Sequence, residues 1–173
     1  MQFSSTRVVD DARYGVVTIG VNAERGAVEV SGTQVPTVAI QRSADAELNK
    51  FVPIGTREAA HLTMSVDGVE AELRPGPGKL TRRSYRVDLV LAGTHYRFTP
   101  DSDETAELSR EGAEIAVFRM EDTNGEFSVG WLADDSQPAD AAIGYALSVA
   151  FRTGAMGAIS MLLNGSVNVA GHS

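Results

Sequence analysis

Arg74, Lys79, Arg82, Arg83 and Arg86 place five cations in a stretch with no carboxylate between Glu72 and Asp88. Guanidinium groups grip phosphate through paired N–H donors, and an ammonium does so as a point charge. The chemistry this stretch offers is therefore anion binding, with phosphate or a lipid headgroup as ligand. The alternative is a basic connection that pairs with the acidic remainder of the chain. Pro75-Gly76-Pro77-Gly78 lies inside the cluster and makes it a turn.

No other constellation reaches a working motif. Gly76-Pro77-Gly78-Lys79-Leu80-Thr81 has the look of a phosphate loop. Leu73 stands where that motif needs its first glycine, and Leu80 where it needs the hydroxyl for Mg²⁺, which excludes nucleotide hydrolysis. His61, His95 and His172 are too scattered for a metal cluster, and no Gly-x-Ser-x-Gly elbow occurs. The acidic loops Asp101, Asp103, Glu104 and Glu121, Asp122, Asn124 lack the ordered ligands of a calcium loop. The chain has no cysteine, which removes disulfides, thiolate metal sites and cysteine nucleophiles together. No catalytic residue, metal ligand or cofactor is assigned, and the balance leans away from an enzyme.

A formal net charge of −8 repels nucleic acid, so the expected partners are anionic lipid or phosphate at the basic stretch, or another protein. Thirteen of the 15 basic residues are Arg, a usage that, with abundant Ala and Gly, fits a GC-rich bacterial genome. Met1–Arg7 has no cationic region followed by an apolar run. The expectation is a cytoplasmic protein, peripheral to the membrane where it meets lipid.

The elements that must position the cluster are strands. Hydrophobic residues make up 43% of the 173 residues and charged residues 22%, as in an ordinary globular domain. Up to about Leu132 the dominant period is two. Val87, Leu89 and Leu91 follow Tyr85 on one face; Leu62, Met64 and Val66 precede Asp67-Gly68, and Val69, Ala71 and Leu73 follow it. Asp-Gly supplies the two positive φ angles of a type I′ hairpin turn. Ala92-Gly93, Glu111-Gly112 and Asn124-Gly125 read as further turns, and Tyr14–Val21, Ala27–Val30 and Val35–Ile40 as further strands. About ten strands joined by short turns make a mainly β chain, an antiparallel hairpin meander forming a barrel or a sandwich.

At Asp134-Asp135-Ser136-Gln137-Pro138 the pattern changes to a helix start, and from 138 to 163 the chain is Ala-rich and apolar on nearly every face. The single-domain layout is thus hairpins over 1–133, a helix over 138–163 and a tail over 164–173. Asp140, Gly144, Ser148 and Arg152 form one thin polar stripe along the helix. Its strongly apolar residues offer about −0.3 to −0.6 kcal/mol each toward membrane insertion, while Arg152 costs about +2.5 to +3.5. Burial in protein is expected, with Ile143, Leu147, Val149, Phe151 and Ile159 packed by strand residues such as Leu89, Val117 and Val129. Arg152 must then reach water at the barrel mouth or meet a carboxylate.

Leu108-Ser109-Arg110-Glu111-Gly112-Ala113-Glu114-Ile115-Ala116, then Phe127–Trp131, then Asp140-Ala141-Ala142-Ile143-Gly144-Tyr145-Ala146-Leu147 give a hairpin, an aromatic strand and an apolar helix in succession. This layout resembles the tubby-like fold, shared by plant LURP-one-related proteins and phospholipid scramblases. The resemblance implies an antiparallel barrel wrapped around a central apolar helix, and a role in binding lipid headgroups or a membrane surface, or as a scaffold. The Cys-rich segment of some scramblases is missing and the helix runs on past Arg152, so scramblase activity is not carried over. Three functional readings follow. The first is a non-enzymatic binding or scaffold module that takes anionic lipid headgroups or phosphate. The second is a β-barrel binding protein or enzyme with an interior pocket, which requires the helix to lie outside. The third is a tail-anchored membrane protein.

Overall fold

Three two-residue turns set the register of the wall. Asp67-Gly68 has φ angles of 47° and 79°, Ala92-Gly93 of 48° and 83°, and Glu111-Gly112 of 52° and 81°. Both central residues of each turn are left-handed, as the type I′ hairpin requires. The structure, a computed structural model, describes residues 2–121 and 126–151, so the Asn124-Gly125 turn lies outside the described residues.

Eleven strands follow one another: β1 Ser5–Asp11, β2 Gly15–Asn22, β3 Ala27–Gly32, β4 Val38–Arg42, β5 Leu62–Val66, β6 Val69–Pro75, β7 Val87–Leu91, β8 Thr94–Pro100, β9 Thr105–Arg110, β10 Ala113–Met120 and β11 Phe127–Trp131. Each pairs antiparallel with its sequence neighbours in a single sheet, which makes a nearly closed barrel in meander order. β1 was not expected as a strand. Tyr85, expected to open the β7 run, instead ends a 3-10 turn over Arg82–Tyr85.

The helix α1, Pro138–Phe151, fills the barrel. It packs on β2, β3 and β4 on one side and on β9 and β10 on the other. Asp140 and every residue from Ala141 to Phe151, Leu147 included, are buried. That burial accounts for an apolar surface on all faces. Alternate strand side chains turn inward toward it: Val38 and Ile40, Leu62, Met64 and Val66, Leu89, Tyr96 and Phe98 are all buried. Val129 is half-buried against the same core. Val117 is a correction. The β9–β10 register shifts between Glu114 and Ala116, so Ile115 is an extra residue and the inward set becomes Ala116, Phe118 and Met120. A bulge of one residue flips every later side chain to the other face, which turns Val117 outward. No helix among the described residues is long and apolar enough to cross a membrane. Arg152, Ile159, the expected helix over 152–163 and the tail lie outside the described residues.

An odd number of antiparallel strands leaves β1 and β11 running the same way at the seam, and they share no ladder among the described residues. Side chains close it. The Arg13 guanidinium donates to the Ala133 carbonyl at 2.7 Å and to Ser136 Oγ at 2.6 Å, and lies over the Trp131 ring. Tyr14 meets Trp131 edge-on with centroids 5.3 Å apart. Buried Asp11 joins this turn to the helix. Its Oδ1 accepts the N–H groups of Arg13 and Tyr14, and its Oδ2 accepts the Tyr145 hydroxyl at 2.6 Å.

Burial, and then the Asp11 carboxylate, push the Tyr145 phenol well above its usual range. Burial, reinforced by Asp140, pushes Tyr96 up to about 12. An unfolded phenol ionises near pH 10. Both tyrosines are therefore fully stabilising below about pH 10, and their contribution is lost as the pH rises above it through the folded values. Tyr145→Phe is expected to cost about 1–3 kcal/mol at pH 7, because it strands a buried carboxylate oxygen. It should also make the alkaline loss of stability shallower. Denaturant titrations of wild type and variant at pH 7 and pH 11 check both.

Candidate anion-binding loop

The basic stretch is the connection between β6 and β7, and its shape is set by its own backbone. Gly76 N–H donates to the Arg86 carbonyl at 2.7 Å and Gly78 N–H to the Ser84 carbonyl at 2.9 Å. A Cβ on Gly76 would lie 2.3 Å from the Ser84 oxygen, so only glycine closes this neck. Ser84 Oγ accepts the Lys79 N–H at 2.8 Å and sits 2.7 and 2.6 Å from the Lys79 and Thr81 carbonyls, one of which it serves as donor. The result is a braced projection from one end of the barrel.

The five cations divide into two groups. Arg74 and Arg86 stand on the outer wall and are already matched: Arg74 pairs with Glu72, and Arg86 lies 3.4 Å from Asp88, which Arg97 also reaches at 2.6 Å. Arg82 leans toward Asp103 at 3.6 Å. Lys79 and Arg83 are exposed at the tip and make no ion pair among the described residues. The structure therefore brings Lys79, Arg82 and Arg83 together and leaves Arg74 and Arg86 apart from them. The Glu72–Arg74 pair was readable, since residues two apart on a strand share a face. The Arg86–Asp88 pair has the same spacing, while the Arg97 and Asp103 contacts depend on β8 and the loop after it.

Sequence reasoning missed Arg57. It comes from the long β4–β5 connection and docks under the loop, with its guanidinium 5.0 Å from the Tyr85 ring and 5.8 Å from that of Phe151. It donates to the carbonyls of Gly76 at 3.3 Å and Phe151 at 3.2 Å. Burial pulls its pKa down to about 10, so it stays cationic at neutral pH. One side chain thus ties the basic loop, the β4–β5 connection and the last described turn of α1. No local signal marks it, because all its partners are remote in sequence.

The remaining candidates have ordinary surroundings. His61 lies among Ser43, Asp45 and Glu58, and His95 is exposed on the wall. Glu104 pairs with Arg119 at 2.8 Å. Among the described residues no three His, Asp or Glu side chains are grouped to hold a metal ion. His172 and Asn164 lie outside the described residues. Inside the barrel, the gap between helix and wall at Tyr85, Phe98, Ser148 and Phe151 measures about 10 Å³. That gap has room for a single water at most. No family model matches this chain, and no curated protein or solved structure matches it.

Proposed function

We propose that the protein is a non-enzymatic binding module that takes phosphate-bearing anions, lipid headgroups foremost, on the tip of its β6–β7 loop. The observation that carries this reading is the pair Lys79 and Arg83, exposed on a braced projection and without carboxylate partners among the described residues. On a chain of net charge −8, cations left open at a braced tip offer an approaching anion local positive potential. The helix inside the barrel supports it from the other side, since it leaves the outer surface to do the binding. The tubby-like layout, a barrel around a buried apolar helix, points the same way. Peripheral attachment to a membrane surface follows from the same chemistry.

Flotation with neutral phosphatidylcholine vesicles and with vesicles carrying phosphatidylserine tests it. Wild type should float with the anionic vesicles at low salt, less at physiological salt, and not with the neutral ones. Each cation near an anionic surface is worth about 1 kcal/mol, so Lys79→Ser with Arg83→Ser should weaken binding roughly thirtyfold. Arg74→Ser, already matched by Glu72, should change little. Titration with inorganic phosphate separates headgroup from free-anion binding. Equal flotation of the double variant and wild type refutes the loop as the site.

A further inference from the structure

We propose that Leu80 is a membrane-inserting residue, held at the tip of the β6–β7 loop so that it enters the acyl boundary of an anionic bilayer while Lys79 and Arg83 remain among the headgroups. This inference rests on the anion-binding reading and commits it to one source, a lipid surface. Leu80 is as exposed as in an extended peptide, at 104 %. It is also left-handed, with φ 66°, and Thr81 N–H donates across it to the Lys79 carbonyl at 2.7 Å. That bond spans three residues about a positive φ, the rare and strained γ-turn. Glycine or asparagine would sit there more easily, and a soluble tip would not need an apolar side chain. The Ser84 brace keeps the leucine from folding back onto the barrel.

A second apolar projection stands beside it. The β4–β5 connection exposes Leu48 at 66 % and Phe51 at 60 %, with Lys50 over the Phe51 ring at 5.3 Å. Arg57 ties this connection to Gly76, and Pro77 borders the same surface groove as Leu48 and Phe51. Three of the seven large hydrophobic side chains exposed among the described residues thus lie on two loops at one end of the barrel. Free phosphate would make no use of them. Separate apolar projections flanked by lysine and arginine suit a fluid anionic interface, which takes dispersed apolar groups and diffuse charge together. Glu47 and the β8–β9 acids Asp101, Asp103 and Glu104 hold the remainder of that end back, so insertion is confined to the tips.

The absence of cysteine makes the test direct. A Leu80→Cys variant carrying an NBD label is mixed with phosphatidylserine-containing vesicles, with and without acyl-chain nitroxide lipids. A Val69→Cys variant, exposed on the hairpin at the other end, serves as control. The label at 80 should shift to the blue and be quenched by the nitroxide, and the label at 69 should not. Leu80→Ser should bind these vesicles about tenfold more weakly at an unchanged melting temperature. If the unlabelled protein floats but the label at 80 stays in water and Leu80→Ser binds equally well, insertion is overturned and headgroup binding stands. If the label responds to inorganic phosphate or to an acidic peptide and not to vesicles, the lipid commitment is overturned. If wild type does not float even at low salt, both proposals fall.

Discussion

Gly144→Ala is expected to cost about 3 kcal/mol or more, although alanine favours a helix interior over glycine by about 1 kcal/mol. The reason is Phe118. A Cβ at position 144 would lie 1.9 Å from Cζ of that ring and 2.2 and 2.5 Å from its two Cε atoms. The ring cannot swing aside, because it is boxed edge-on by Phe98, Trp131 and Tyr145, with centroids 6.4, 6.2 and 5.4 Å away. Packed interiors accept small displacements poorly, so the helix must move out of the barrel or the wall must open. Gly144→Val should give no folded protein. Chemical denaturation measures the alanine variant, and Phe118→Leu provides the internal check. The double variant Gly144→Ala, Phe118→Leu should be more stable than Gly144→Ala alone. A loss under 1 kcal/mol for Gly144→Ala would show that the helix does not sit against β10 as described.

Local chemistry was legible in the sequence and remote pairing was not. The turns at 67–68, 92–93 and 111–112 are each decided by two residues, and the structure places both of each pair at positive φ. The helix start is equally local: Asp140 accepts the Gln137 N–H at 2.7 Å, just ahead of Pro138. The apolar circumference of α1 told of burial because no other setting in water tolerates it. β1 escaped notice because its inward positions include Arg7 and Asp11, and the partner that lets Asp11 be buried, Tyr145, comes from the distant helix. The Ile115 bulge left no mark either, since Ile115 and Val117 alternate as a regular strand would. In the candidate loop, composition located the five cations but not their matching. Asp88 and Asp103 come from neighbouring strands and loops and neutralise part of the cluster. The conformation that lifts Leu80 is set by the Gly76–Arg86 and Ser84 bonds, none of which a charge count contains.

Replacing Arg110 by Met should cost about 3–5 kcal/mol, the usual penalty for removing one partner of a buried ion pair. Asp140, with no exposed side-chain surface, pairs with the Arg110 guanidinium, which is itself only 14 % exposed. Arg110 also reaches the Asp135 carbonyl at 3.2 Å, so it clamps the end of β9 to the segment that leads into α1. Without it, the carboxylate keeps the Gln137 N–H on Oδ2, while Oδ1 has no hydrogen-bond partner among the described residues. An anion in that position at the mouth of the barrel cannot be rehydrated unless α1 withdraws. The loss should therefore come mainly from the stranded charge and less from the missing contacts of the arginine stem. Adding Asp140→Asn to Arg110→Met separates the two. Asn retains an oxygen for the Gln137 N–H and removes the charge, so the double variant should regain much of the stability lost by Arg110→Met. Urea denaturation of the wild type, both single variants and the double variant completes the cycle. If the double variant is no more stable than Arg110→Met, the stranded charge is not the cause, and the role of Arg110 reduces to packing at the end of β9.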